Sequence, residues 1–98
     1  MTFDDILFDI YALEDEMRTY ERKYAVLSET FYEAYQSGEE PPEDSWVRDW
    51  TAWASAYQIW LRRREQYQAA IKAFRAESKT LGEMIEKTAR HEPIPVPA

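Results

Sequence analysis

Residues 46 to 88, WVRDWTAWASAYQIWLRRREQYQAAIKAFRAESKTLGEMIEKT, decide how this chain folds. Within them Trp46, Trp50, Trp53, Tyr57, Trp60, Arg64, Tyr67, Ile71, Phe74, Ser78, Leu81, Ile85 and Thr88 recur at alternating steps of four and three. A repeat averaging 3.5 residues holds one helical face toward a partner, and no proline falls between Pro42 and Pro93. The spacing predicts a single helix over 45–91, spanning roughly 65 Å at 1.5 Å per residue. That is longer than a compact domain of 98 residues is wide. The far half of such a seam needs a cover.

Upstream, Thr2 with Asp5 three positions on forms an acidic capping box, and Asp4 and Asp5 sit where the helix dipole favours negative charge. Phe3, Ile6, Ile10, Leu13, Met17, Tyr20 and Tyr24 repeat the three-four spacing, with Leu7 and Tyr11 widening the stripe, and predict a helix over 3–24. Ala25 to Leu27 breaks the pattern. Ser28 is placed to cap a short helix over 29–37, with Leu27 and Tyr32 as a hydrophobic staple and Gly38 as its terminator. Pro41-Pro42 makes the following acidic stretch a stiff connector, after which Asp44 or Ser45 caps the long helix. The expected fold is all-α: a helical hairpin with one long C-terminal helix and a short connecting helix, completed to a bundle by dimerisation. Residues 1–91 form a single helical domain, and 92–98 a proline-rich tail suited to an extended conformation.

Charge is unevenly placed. Residues 1–45 hold thirteen acids and three bases, −10, whereas 46–98 hold six acids and nine bases, +3. The halves should attract each other, and the net −7 argues against a general nucleic-acid binder. A nucleic-acid role for Arg62 to Arg64 with Lys72, Arg75 and Lys79 is the weakest reading, because Glu65 and Glu77 interrupt that stripe. With no Cys and two Gly, the chain offers neither a disulfide framework nor a phosphate-cradling loop, and a reducing cytoplasm fits best. No run of eighteen apolar residues occurs, so no membrane partner is expected.

A lone His91 and scattered carboxylates suggest no catalytic, metal or cofactor residues, and no enzyme. Fifteen aromatic residues in so short a chain point instead to cores and interfaces. Trp53, Tyr57 and Trp60 are the expected core anchors. Arg64, at a seam position, has two open readings: its guanidinium meets Glu14 or Asp15 of the first helix, or it contacts a partner. Residues Arg64, Tyr67, Ile71, Phe74, Leu81 and Ile85 are the candidate partner-binding set, since a first helix ending near Tyr24 is too short to cover them all. A homodimer is the simplest cover, and a cognate protein the alternative.

The stretch from Glu21 to Glu39, followed by Asp44, Trp50, Trp53-Ala54, Tyr57, Trp60-Leu61 and Arg62, resembles a family of short prokaryotic proteins found in toxin–antitoxin-type gene pairs. Lys23-Tyr24, Ser28, Phe31-Tyr32, Tyr35 and Gly38-Glu39 carry the likeness, which covers about residues 14 to 65. The chain beyond Arg64 is an extension relative to that family. The resemblance implies an antitoxin-like helical protein that binds a cognate toxin-like protein; a coiled-coil module that only self-assembles is the alternative.

Overall fold

The computed structural model describes residues 1–77 and 80–97, and among them every regular element is helical. The elements are α1 (Phe3–Tyr24), α2 (Ser28–Gln36), a 3-10 turn (Asp44–Trp46), α3 (Val47–Ala76) and α4 (Leu81–Ala89). Residues Tyr11–Leu61 pack as one compact unit, and Met1–Ile10 with Arg62–Ala98 as another.

α1 begins at its expected cap. Thr2 N–H donates to Asp5 Oδ2 at 3.0 Å and Asp5 N–H to Thr2 Oγ1 at 3.1 Å, satisfying two of the donors that a helix start leaves free. These bonds, the backbone one from Thr2 foremost, hold the Asp5 carboxyl below its usual value. α2 ends in a Schellman motif: Glu39 N–H reaches Ala34 O, Gly38 N–H reaches Tyr35 O, and Gly38 adopts φ 95°. Its start differs from expectation. Ser28 is the first helical residue and Leu27, with an extended backbone and no side-chain cap, precedes it. The first free N–H is met by Glu21 of α1, whose Oε2 accepts from Ser28 N at 2.8 Å and from Ser28 Oγ at 2.7 Å. Leu27 is 68% exposed, so a staple onto Tyr32 does not anchor this turn.

Tyr11–Leu61 is built around Trp53, which is fully buried. Met17, Phe31, Tyr32, Ala54 and Ala56 complete its core, and Tyr57 and Trp60 pack against it half-buried. Tyr24 meets Trp46 at 5.2 Å while Glu14 meets Trp60, so in this unit α1 runs antiparallel to α3. Tyr11, expected to widen the buried stripe, is 60% exposed.

The chain passes from α1 to α2 through Ala25, whose φ of 60° is a left-handed conformation costly for any residue with a Cβ. Ala25→Gly should stabilise the fold by about 1 kcal/mol, read as a raised denaturation midpoint with an unchanged slope.

The second unit corrects the long-helix expectation. The long helix stops at Ala76, and a separate helix begins at Leu81, so the longest helix is not the C-terminal one. Thr80 caps the new start: its Oγ1 accepts from Glu83 N at 3.2 Å. Packing gives the reason for the break. Phe3, Ala70, Phe74, Met84 and Ile94 form one buried cluster, with Leu7, Tyr67, Ile71 and Val96 against it. In an unbroken helix Met84 would lie ten residues, about 15 Å, beyond Phe74 along the axis, out of reach of the same cluster. Ending α3 lets α4 return Met84 to Phe74, and Lys87 Nζ lies 5.9 Å from the Phe74 ring centroid.

The tail joins the same core. α4 ends in a second Schellman motif, with Glu92 N–H on Lys87 O and His91 N–H on Thr88 O, and His91 supplies the left-handed residue at φ 58°. From there Ile94 is buried while Pro93, Pro95 and Pro97 face outward. The seam that the sequence left uncovered at Tyr67, Ile71 and Phe74 is thus covered by Phe3, Leu7, Met84, Ile94 and Val96 of the same chain. Two expectations, Ser78 as a register-setting seam position and the tail's end at Ala98, lie outside the described residues.

Thr80→Ala should destabilise by about 1 kcal/mol through the lost cap. The loss should appear in amide exchange as faster opening of α4 than of α3.

Candidate partner-binding surface

The hydrogen bonds of the α3 indoles distinguish the centre of the aromatic unit from its rim. Trp53 stacks on Phe31 with centroids 3.9 Å apart and planes 1° from parallel, and Tyr20 and Tyr24 lie 5.8 Å away. Its Nε1–H donates to Ser28 Oγ at 2.8 Å, and Ser28 in turn donates to Glu21. This buried relay ties all three helices of the unit together. Trp60 Nε1–H donates to Glu14 Oε2 at 3.1 Å. Trp50 differs: its Nε1–H is closed off from solvent and has no acceptor among the described residues. An amide-like donor left so costs about 1–3 kcal/mol.

Trp50 stands edge-on to Phe31 at 5.3 Å and forms a wall of an open groove of about 560 Å³. Tyr35 at the end of α2, Pro41 in the connector and Val47 at the start of α3 supply the other apolar surfaces. Glu39, Glu40 and Asp44 line its edge, and no lysine or arginine is among its described lining residues. The two structural devices that shape it are local. Gly38 turns the chain out of α2, and the 3-10 turn at Asp44–Trp46 turns it into α3.

Beside the groove, Asp49 Oδ2 accepts from Lys23 Nζ at 2.6 Å and from Tyr24 Oη at 2.7 Å. The Lys23 bond and then the Tyr24 bond lower the Asp49 carboxyl from its ordinary value, the Asp49 bond raises Lys23, and burial above all raises Tyr24. A lowered carboxyl contributes stability that is lost as pH falls through its folded value. A raised lysine and a raised phenol contribute stability that is lost as pH rises through theirs. The difference in melting temperature between the native chain and Asp49→Asn should therefore be widest near neutral pH. It should narrow below about pH 4 and again above about pH 10.

The six residues predicted to bind a partner divide in the structure. Phe74 is core at 5% exposure, and Tyr67 and Ile71 are half-buried around it. Leu81 and Ile85 are exposed on the outer side of α4, 61% and 58%, and Arg64 is exposed on α3. A contact between α3 and α1 is made one residue earlier, by Arg63. Arg63 Nε lies 2.9 Å from Asp9 Oδ2, and its Nη1 donates to Gln66 at 3.1 Å. The inward face of α3 here runs through Arg63, Tyr67, Ala70 and Phe74, so the register assigned at Arg64 is one residue too far along. Glu14, one of the two acids expected to receive an α3 arginine, accepts from Trp60.

The Trp50 groove is absent from the predicted set. Its signal in the sequence is Tyr35, the Pro41-Pro42 pair and Trp50 gathered around Glu39, Glu40 and Asp44, a stretch that periodicity alone marks only as a connector. Among the described residues no group of three or more His, Cys, Asp or Glu is placed to hold a metal ion, and no helix is long and apolar enough to cross a membrane. Comparison with protein-family models, with curated proteins and with solved structures finds no match for this chain.

Proposed function

We propose that this chain is a non-catalytic protein-interaction module, antitoxin-like in its mode of action, that binds a cognate protein through the aromatic rim of Tyr11–Leu61. The observation that carries the reading is the rim itself: Tyr35, Trp46 and Trp50 lie half-buried next to an exposed Val47, with the Trp50 N–H unmet. Large aromatics with one face packed and one face available are what interface hot spots are made of. The likeness of residues 14–65 to antitoxin-type proteins supports the same class of function.

Co-expression with the products of the two flanking genes tests it. One of them should co-purify with the chain as a stable complex, and its toxicity to the host should fall when the chain is present. The reading fails if neither product associates with the chain at micromolar concentration.

Self-assembly is the second reading, favoured by Leu81 and Ile85, four residues apart and both exposed on α4. In that case light scattering gives a dimer that Leu81→Glu with Ile85→Glu returns to a monomer. A wild-type monomer rules it out.

A further inference from the structure

Building on the interaction reading, we infer that the Trp50 groove receives an extended, positively charged segment of the partner protein. Three features of the groove specify that occupant. Its volume of about 560 Å³ is that of a site for a few residues, too small for a packed domain. Its edge carries Glu39, Glu40 and Asp44 without a compensating lysine or arginine among the lining residues, in the part of the chain that holds −10. Its wall carries Trp50, whose N–H is closed off from solvent and has no acceptor among the described residues.

The donor distinguishes extended from helical ligands. A helix uses its own carbonyls internally, so a helical ligand has few to offer along its length. An extended or proline-rich segment carries every carbonyl free, and proline or aliphatic side chains fit against Tyr35, Pro41 and Trp50. Arginine or lysine flanking those residues then lies opposite the acids. A small turn of the Trp50 indole toward the groove brings its N–H to a ligand carbonyl, and the unmet donor of the free protein is satisfied only in the complex. The acids also exclude a phosphate backbone from the same position, since like charges repel there.

Fluorescence anisotropy on the full chain tests this with two labelled probes, Arg-Pro-Leu-Pro-Arg-Pro-Leu-Pro and its counterpart with glutamate in place of arginine. The arginine peptide should bind, more weakly as salt rises, and the glutamate peptide should not. Trp50→Phe keeps the ring and loses the donor, and should weaken binding about tenfold. Glu39→Gln with Glu40→Gln, both exposed and therefore without cost to folding, should remove most of the salt dependence. Melting curves of each variant report whether it is folded.

Equal binding of the two peptides overturns the charge argument, and an unchanged affinity in folded Trp50→Phe overturns the donor argument. Tighter binding of a helical basic peptide overturns the extended occupant, and light scattering that shows self-association lost in Trp50→Phe puts a second copy in the groove instead. If neither probe binds while a flanking gene product still forms a complex insensitive to Trp50→Phe, the inference fails and the interaction reading stands. If no flanking product associates but the arginine peptide binds through Trp50, the groove stands and the antitoxin-like reading fails.

Discussion

Trp53→Ala should unfold this protein or bring it to the edge of stability, with an expected loss of about 3–5 kcal/mol. Trp53 is fully buried, stacked against Phe31 and flanked by Tyr20 and Tyr24, so truncation opens a cavity among aromatic rings that cannot collapse without moving three helices. The indole also donates to Ser28 Oγ, which is 4% exposed and already donates its own proton to Glu21. Removing the indole strips one partner from that relay. Trp53→Phe separates the two contributions, because it retains most of the stacking and loses the hydrogen bond. It should cost less than Trp53→Ala, and chemical denaturation followed by circular dichroism measures both. A small domain has about 5–15 kcal/mol in total, so the alanine variant takes a large share of it.

Phe74→Ala should cost a similar amount, about 3–5 kcal/mol, in the unit formed by Met1–Ile10 and Arg62–Ala98. Phe74 is buried with Phe3, Ala70, Met84 and Ile94, so it connects the start of α1, the end of α3, α4 and the tail. Its loss should therefore release α4 and the tail before the rest of the molecule opens, visible as faster amide exchange over residues 81–96 than over 47–60. The same substitution separates a core role from a binding role. A partner-facing phenylalanine would leave the melting temperature unchanged and lower affinity alone, whereas 5% exposure predicts a large loss of stability in the free chain.

The all-helical fold was legible because it rests on periodicity, and the apolar spacing from Phe3 to Tyr24 and from Trp46 to Trp60 survives tertiary packing. The caps at Thr2 and Gly38 were legible for the same local reason. The end of the long helix was not, because a heptad can be counted straight through the end of one helix into the next. Leu81 and Ile85 fall on the extrapolated seam yet lie exposed on α4, whereas Met84, one step off it, is buried. The available signal was Thr80-Leu-Gly-Glu83, a capping-box pattern whose threonine does cap α4. Counting large residues also concealed Ala54, Ala56 and Ala70, all buried, and so placed Arg64 on the inner face where Arg63 lies. The cover over Tyr67, Ile71 and Phe74 was not legible, because the chain supplies it from residues distant in sequence, Phe3 and Ile94. The Trp50 groove depends on a tertiary fact, an indole donor without an acceptor among the described residues, that no spacing rule expresses.

Amide hydrogen exchange on the chain alone and in complex with the flanking gene product that co-purifies tests most directly that the aromatic rim, and not the α4 face, meets the partner. The account predicts added protection centred on residues 35–51, with residues 81–89 unchanged. Added protection confined to 81–89, or none in 35–51 at saturating partner, contradicts it.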